Sequence, residues 1–135
     1  MNSLQKFITD NLDFLYSEYG LKTTNSQYES EEGNALIELQ NDSLLIQCIK
    51  DRGVIELYFA NNNSPKELFE LSELIEINTG EKPAYQSSDR LAIHFLKENF
   101  NIINELLVKT LPTALNKRNV IREKELRSLG YQKKA

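Results

Sequence analysis

Two residues with reactive side chains occur once each in this chain: Cys48, a possible nucleophile, and His94, a possible general base. A cysteine nucleophile needs a base within reach and an exposed, electropositive setting. Cys48 lies instead in an aliphatic run, residues 44–49, where packing is its commoner role. One cysteine and one histidine cannot build a zinc site. Thr79-Gly80-Glu81-Lys82-Pro83, which spells the linker between zinc fingers, therefore reads as a helix end followed by a turn. The chain has no glycine-rich phosphate loop and no nucleophile elbow. Carboxylates are plentiful, but no two stand out as an acid and base pair. The expectation is a protein that is not an enzyme, with no catalytic residue, no cofactor and no metal ligand set.

What remains is the chemistry of charge. The net charge is −4, unevenly divided. Residues 1–108 hold 8 basic and 18 acidic side chains, and residues 109–135 hold 8 basic and 2 acidic. An acidic body repels nucleic acid and attracts basic protein surfaces, and a basic tail does the reverse. Three groups of residues are candidates for binding such a partner. Glu29, Glu31 and Glu32 cluster before a turn. Glu38, Glu56 and Tyr58 fall on one face of predicted strands. Glu67, Glu70 and Glu73 continue to Glu76 at a spacing of three along a predicted helix, where like charges oppose one another by a few tenths of a kcal/mol per pair. A solvated helix face also accounts for that run.

The elements that position these groups centre on residues 44–59. Two strands flank Lys50-Asp51-Arg52-Gly53, with Gly53 suited to a left-handed position closing a three-residue loop. That turn pairs Ile49 with Val54, Cys48 with Ile55, Ile46 with Leu57 and Leu44 with Phe59. A turn at Asn41-Asp42 adds a strand pairing Leu39 with Leu44, Ile37 with Ile46 and Ala35 with Cys48. Because side chains alternate, one face is wholly apolar, and Ile46, Cys48, Ile55 and Leu57 are expected to be buried. The other face is mixed: Leu36, Leu45, Ile49, Val54 and Tyr58 beside Glu38, Gln47 and Glu56. Apolar residues rimmed by acids suit a protein interface. Equally, the tail over residues 115–129 could lie across them. A polar strand over residues 21–29 completes a four-stranded meander, with Tyr28 pointing inward near Ala35.

Helices flank the sheet. Residues 3–18 form the first, capped by Ser3 or Asn2 and stopped at Gly20. Ser64-Pro65-Lys66-Glu67 is a helix start with serine at the cap, proline at the first position and glutamate at the third. That helix runs to Gly80. A longer one, capped by Ser88, reaches about Thr110 with Leu91, Phe95, Leu96, Ile102, Ile103, Leu106 and Leu107 as its apolar stripe. A weaker helix covers 113–129, and residues 131–135 fray. The fold class is α+β: a four-stranded antiparallel meander with helices on one face, in the order α-β-β-β-β-α-α, plus a basic C-terminal helix. Residues 1–110 form one domain and 111–135 an extension. With 40% hydrophobic residues the chain can bury a substantial core. The polar N-terminus does not suit a signal peptide, no run is apolar enough for a membrane helix, and a single cysteine fits a cytoplasmic setting. Homo-oligomerisation stays open.

Tyr19-Gly20-Leu21 closing a short amphipathic helix, Asn41-Asp42 opening a strand, and Asp51-Arg52-Gly53 before an aliphatic strand form a pattern. Over residues 1–108 it resembles small bacterial immunity proteins that protect cells against contact-dependent or other polymorphic toxins. That resemblance implies a protein without catalysis that binds one cognate toxin domain, often a nuclease, and neutralises it. It carries no binding residues over, because such interfaces vary with the toxin. The alternatives are an adaptor or regulatory interaction domain unrelated to toxins, and a small enzyme of unknown class.

Overall fold

The structure, a computed structural model, describes residues 2–130. The residues expected to fray, 131–135, lie outside the described part. In chain order the elements are α1 (Ser3–Asn11), α2 (Asp13–Ser17), β1 (Lys22–Tyr28), β2 (Ala35–Gln40), β3 (Leu44–Asp51), β4 (Val54–Asn61), β5 (Phe69–Glu70), α3 (Leu71–Thr79), α4 (Arg90–Val108) and α5 (Leu111–Ser128). The fold is α+β, with an antiparallel sheet in the order β1-β2-β3-β4-β5. It has five strands, one more than expected.

The extra strand explains a second correction. Ser64 does not cap a helix. Residues 64–67 turn on themselves, and the chain then lays Phe69 beside Phe59 and Glu70 beside Tyr58 before α3 begins. Phe69 is fully buried. Burying a phenylalanine stabilises by about 1.5–3 kcal/mol, against about 1 kcal/mol for one helix cap, so the tertiary contact prevails. Glu70 takes over as the cap of α3, its side chain accepting from the Glu73 N–H while the Glu73 carboxylate accepts from the Glu70 N–H. Glu67 is therefore not helical, and the run of four glutamates is not one helix face. Gly80 ends α3 in the left-handed region, as expected.

The two hairpins keep the predicted faces but not the predicted register. Cys48 pairs with Leu57 and Ile46 with Phe59, and on the other side Ile37 pairs with Cys48 and Leu39 with Ile46. Each pairing is displaced by two residues. The first turn is Arg52-Gly53 alone, with φ of 53° and 83°, a two-residue hairpin whose twist matches that of the strands. The second turn is Asp42-Ser43, because the Asn41 side chain accepts from the backbone N–H groups of Ser43 and Leu44, both at 2.8 Å. A displacement of two preserves alternation, so Ile46, Cys48 and Leu57 are fully buried. Ile55 is the exception. It moves to the sheet's end opposite Lys50 and is only half-buried. Lys50 itself points to the helical side, where its ammonium donates to Ser3 Oγ and to the Glu32 carbonyl.

All five helices lie on the side of Ile37, Ile46, Cys48, Leu57 and Phe59, where they share one core. The N-terminal helix breaks at Leu12 into α1 and α2, and Asn2, not Ser3, caps it with a reciprocal Gln5 bond. Tyr28 does pair with Ala35, yet it stands at the sheet edge and is 53% exposed. Asp89, not Ser88, caps α4. The α4 backbone kinks at Asn99, whose amide donates to the Phe95 carbonyl at 3.0 Å. Its buried face runs through Leu96, Phe100, Ile103 and Leu107, leaving Leu91 and Ile102 exposed. No helix among the described residues is long and apolar enough to cross a membrane.

Candidate partner-binding face

Among the described residues, no helix packs on the sheet's second face. Its residues are the alternate ones: Leu36 and Glu38 on β2, Gln47 and Ile49 on β3, Val54, Glu56 and Tyr58 on β4, and Glu70 on β5. At one end Leu45 and Ala60 pair and are buried, flanked by Gln40, whose amide donates to Asn62 Oδ1 at 2.8 Å. At the other end Leu36 and Ile49 are half-buried and Val54 is exposed.

Side-chain hydrogen bonds hold the polar residues of this face upright. Glu38 accepts from the amides of Asn25 and Gln47, both at 2.9 Å, which ties β1, β2 and β3 together. Both donors are neutral, so the carboxylate's charge is not cancelled. Tyr58 donates its hydroxyl to Glu56 Oε2 at 2.8 Å. Burial first, then the bond to Glu56 and the nearby charges of Glu56, Glu70 and Glu73, push the Tyr58 phenol far above its ordinary range, so it stays a neutral donor. Glu70 is raised as well, chiefly by burial and then by repulsion from Glu56 and Glu73, against a lowering by Ser72 and Ser87.

The tail helix does not lie across this face. It packs on α3 and α4 through Ala114, Arg118 and Ile121. Arg118 is 7% exposed, and donates to the Leu68 carbonyl at 3.1 Å and to Glu67 at 3.0 Å over the ring of Phe69. Arg122 grips both oxygens of Glu73, at 2.7 and 2.9 Å, and reaches the same Leu68 carbonyl at 3.0 Å. Glu67 and Glu73 are thus engaged within the fold.

The sequence-derived candidates therefore separate. Glu38, Glu56 and Tyr58 share the open face, with Glu70 at its β5 margin. Glu29, Glu31 and Glu32 stand at the β1–β2 turn, where the Glu32 carbonyl accepts from Lys50 on the helical side. Glu67 and Glu73 are held by arginines. Sequence reasoning missed Arg118 and Arg122. Their spacing of four in a basic tail was visible, but their partners lie about fifty positions away and leave no local signal.

The reactive residues are placed apart from this face. Cys48 is fully buried under the helices, and burial pushes its thiol up to about 12. His94 is exposed on α4. Among the described residues no three of His, Cys, Asp and Glu come together as a metal-holding group. Compared with known proteins, the chain matches no family model, no curated protein and no solved structure.

Proposed function

We propose that this protein is a non-catalytic binding module that acts as an immunity protein in the cytoplasm, engaging a basic toxin domain, such as a nuclease, through the open face of its sheet. One observation carries the reading. Every helix lies on the opposite side, and the sheet is left with half-exposed aliphatic residues set among carboxylates. Apolar surface rimmed by charge is what a protein partner covers, while carboxylates steer a basic partner into encounter. The network around Glu38 pre-orders its carboxylate, so less side-chain entropy is lost on binding. Tyr58, rigid and half-buried, is the proposed anchor, since aromatic residues dominate interface energetics.

The test is to look for a toxin-like domain encoded beside this gene, co-express it, purify the complex, and follow kinetics at low and high salt. Between 50 and 500 mM salt the Debye length shrinks from about 14 Å to about 4 Å. Association is expected to slow clearly while dissociation changes little. Glu38→Lys with Glu56→Lys is expected to slow association further, and Tyr58→Ala to speed dissociation. A complex indifferent to all three substitutions would overturn the open face as its seat.

A further inference from the structure

At the corner where β1, β2 and β3 meet, the open face carries a shallow depression of about 470 Å³. Leu36 and Ile49, paired across β2 and β3, form its floor. Gln27 and Glu29 border it on the β1 side, and Asp51 on the β3 side. Lys50 also lines this corner, but its ammonium is held on the helical side by Ser3 and Glu32. Arg52, the next residue along, approaches Asp51 at 3.9 Å with both side chains largely in water. Such a contact is worth little and yields readily to a competitor.

Aliphatic residues with two carboxylates one row further along the strands are complementary to a long aliphatic stem ending in a cation. Beside it runs β1, the outermost strand, which has no charged residue between Lys22 and Glu29 and no proline. Its outer backbone groups are open to pairing with an extended chain. We propose that this depression seats one arginine or lysine from an extended, basic segment of the partner laid along β1, the stem on Leu36 and Ile49 and the cation between Glu29 and Asp51. The proposal rests on the open-face reading and deepens it by naming what part of the partner is read there.

The experiment uses the full chain, labelled with ¹⁵N, and a synthetic probe, acetyl-Thr-Thr-Arg-Thr-Thr-amide, followed by amide chemical shifts. A second peptide carries citrulline, the neutral isostere, in place of arginine. Saturable shifts are expected at Leu36, Ile49 and Asp51 and along β1, with a dissociation constant on the order of millimolar for so small a ligand. The citrulline peptide and the double variant Glu29→Gln, Asp51→Asn should each bind about tenfold more weakly, as two exposed charge contacts are worth up to about fivefold each. Both substituted side chains are at the surface, so the fold serves as its own control through unchanged shifts elsewhere. Equal binding of the citrulline peptide, or no saturable shift at this corner, overturns the proposal. Shifts centred instead on Glu56 and Tyr58 overturn it while leaving the open face as the binding surface. Conversely, a corner that binds arginine in a protein whose partner ignores the open face would separate the two readings.

Discussion

Arg118 and Arg122 converge on one backbone oxygen, and that arrangement predicts a measurable coupling. Each guanidinium donates to the Leu68 carbonyl, at 3.1 and 3.0 Å. Replacing Arg118 by methionine keeps much of the stem but removes the bonds to Leu68 and Glu67 and the cation above Phe69. Glu67 is half-exposed and can take water instead, so the loss is about 2 kcal/mol, from one charge-assisted hydrogen bond and a cation–π contact. Arg122→Met breaks a two-pronged pair whose guanidinium is half in water, and about 1–2 kcal/mol is expected. In either single variant the carbonyl keeps one donor. In the double variant it keeps none, and an orphaned, partly buried acceptor costs about 1 kcal/mol at the low end of the usual range. The double variant should therefore be less stable than the two singles predict by about 1 kcal/mol. Urea denaturation of the four proteins reads this directly, provided the slope of free energy against urea is unchanged. Strict additivity, or a double variant more stable than the sum, would refute the shared-acceptor reasoning.

Three further outcomes follow from the core and from the titrating groups. Ile46→Ala should cost about 2–5 kcal/mol in the same assay, as Ile46 is fully buried in the central strand; a loss below about 1 kcal/mol would contradict its packing. Cys48 should resist a thiol reagent at about pH 8 in the folded protein, since it is buried and its thiol is pushed up to about 12, and labelling should accelerate in urea in step with unfolding; modification in native buffer at a free thiol's rate would show an open core. Glu70 is raised above 4.5, so the folded state holds that proton to higher pH than the unfolded chain does. Its contribution is present below the unfolded value and lost as pH rises through the folded one, so Glu70→Gln should gain stability relative to the parent across the window just above 4.5, and a parallel pH profile would count against the burial of Glu70 and its repulsion from Glu56 and Glu73.

The sheet shows what a sequence reveals and what it conceals. Strand alternation is a parity, and the parity of residues 35–59 was legible: Ile37, Ile46, Cys48 and Leu57 lie inside as their pattern required. Register needs the turn's position to the residue, and that was set by details the pattern does not contain. The Asn41 side chain caps the turn ahead of it, and Asn34, just before β2, accepts from the Arg52 N–H at 2.9 Å. The start of α3 failed for the same reason. Ser64-Pro65 is a sound local signal, overruled by the burial of Phe69 against β4. The make-up of the mixed face was readable, including Glu38, Glu56 and Tyr58, but not that the tail leaves it uncovered, nor its corner depression, because those require knowing where α5 packs and which residues of β1 stand beside Leu36.

The segregation of charge along the chain takes on a different sense once the helices are placed. Opposite charges in body and tail suggest two surfaces for two kinds of partner. Yet Arg118 and Arg122 turn back onto Glu67 and Glu73, and Lys82 of the body pairs with Glu125 of the tail. Part of the asymmetry is thus an internal complementarity in which Arg118 and Arg122 help seat α5. It also sorts the acidic residues by availability. Glu67 and Glu73 are engaged by α5, whereas among the described residues Glu38 and Glu56 accept from neutral groups and Asp51 has a solvent-exposed contact with its neighbour Arg52. Glu38, Glu56 and Asp51 thus leave negative charge on the open face and its β1–β3 corner, where the aliphatic surface also lies. Apolar area and uncancelled charge coincide there, which is the condition for one surface to provide both the speed and the tightness of association.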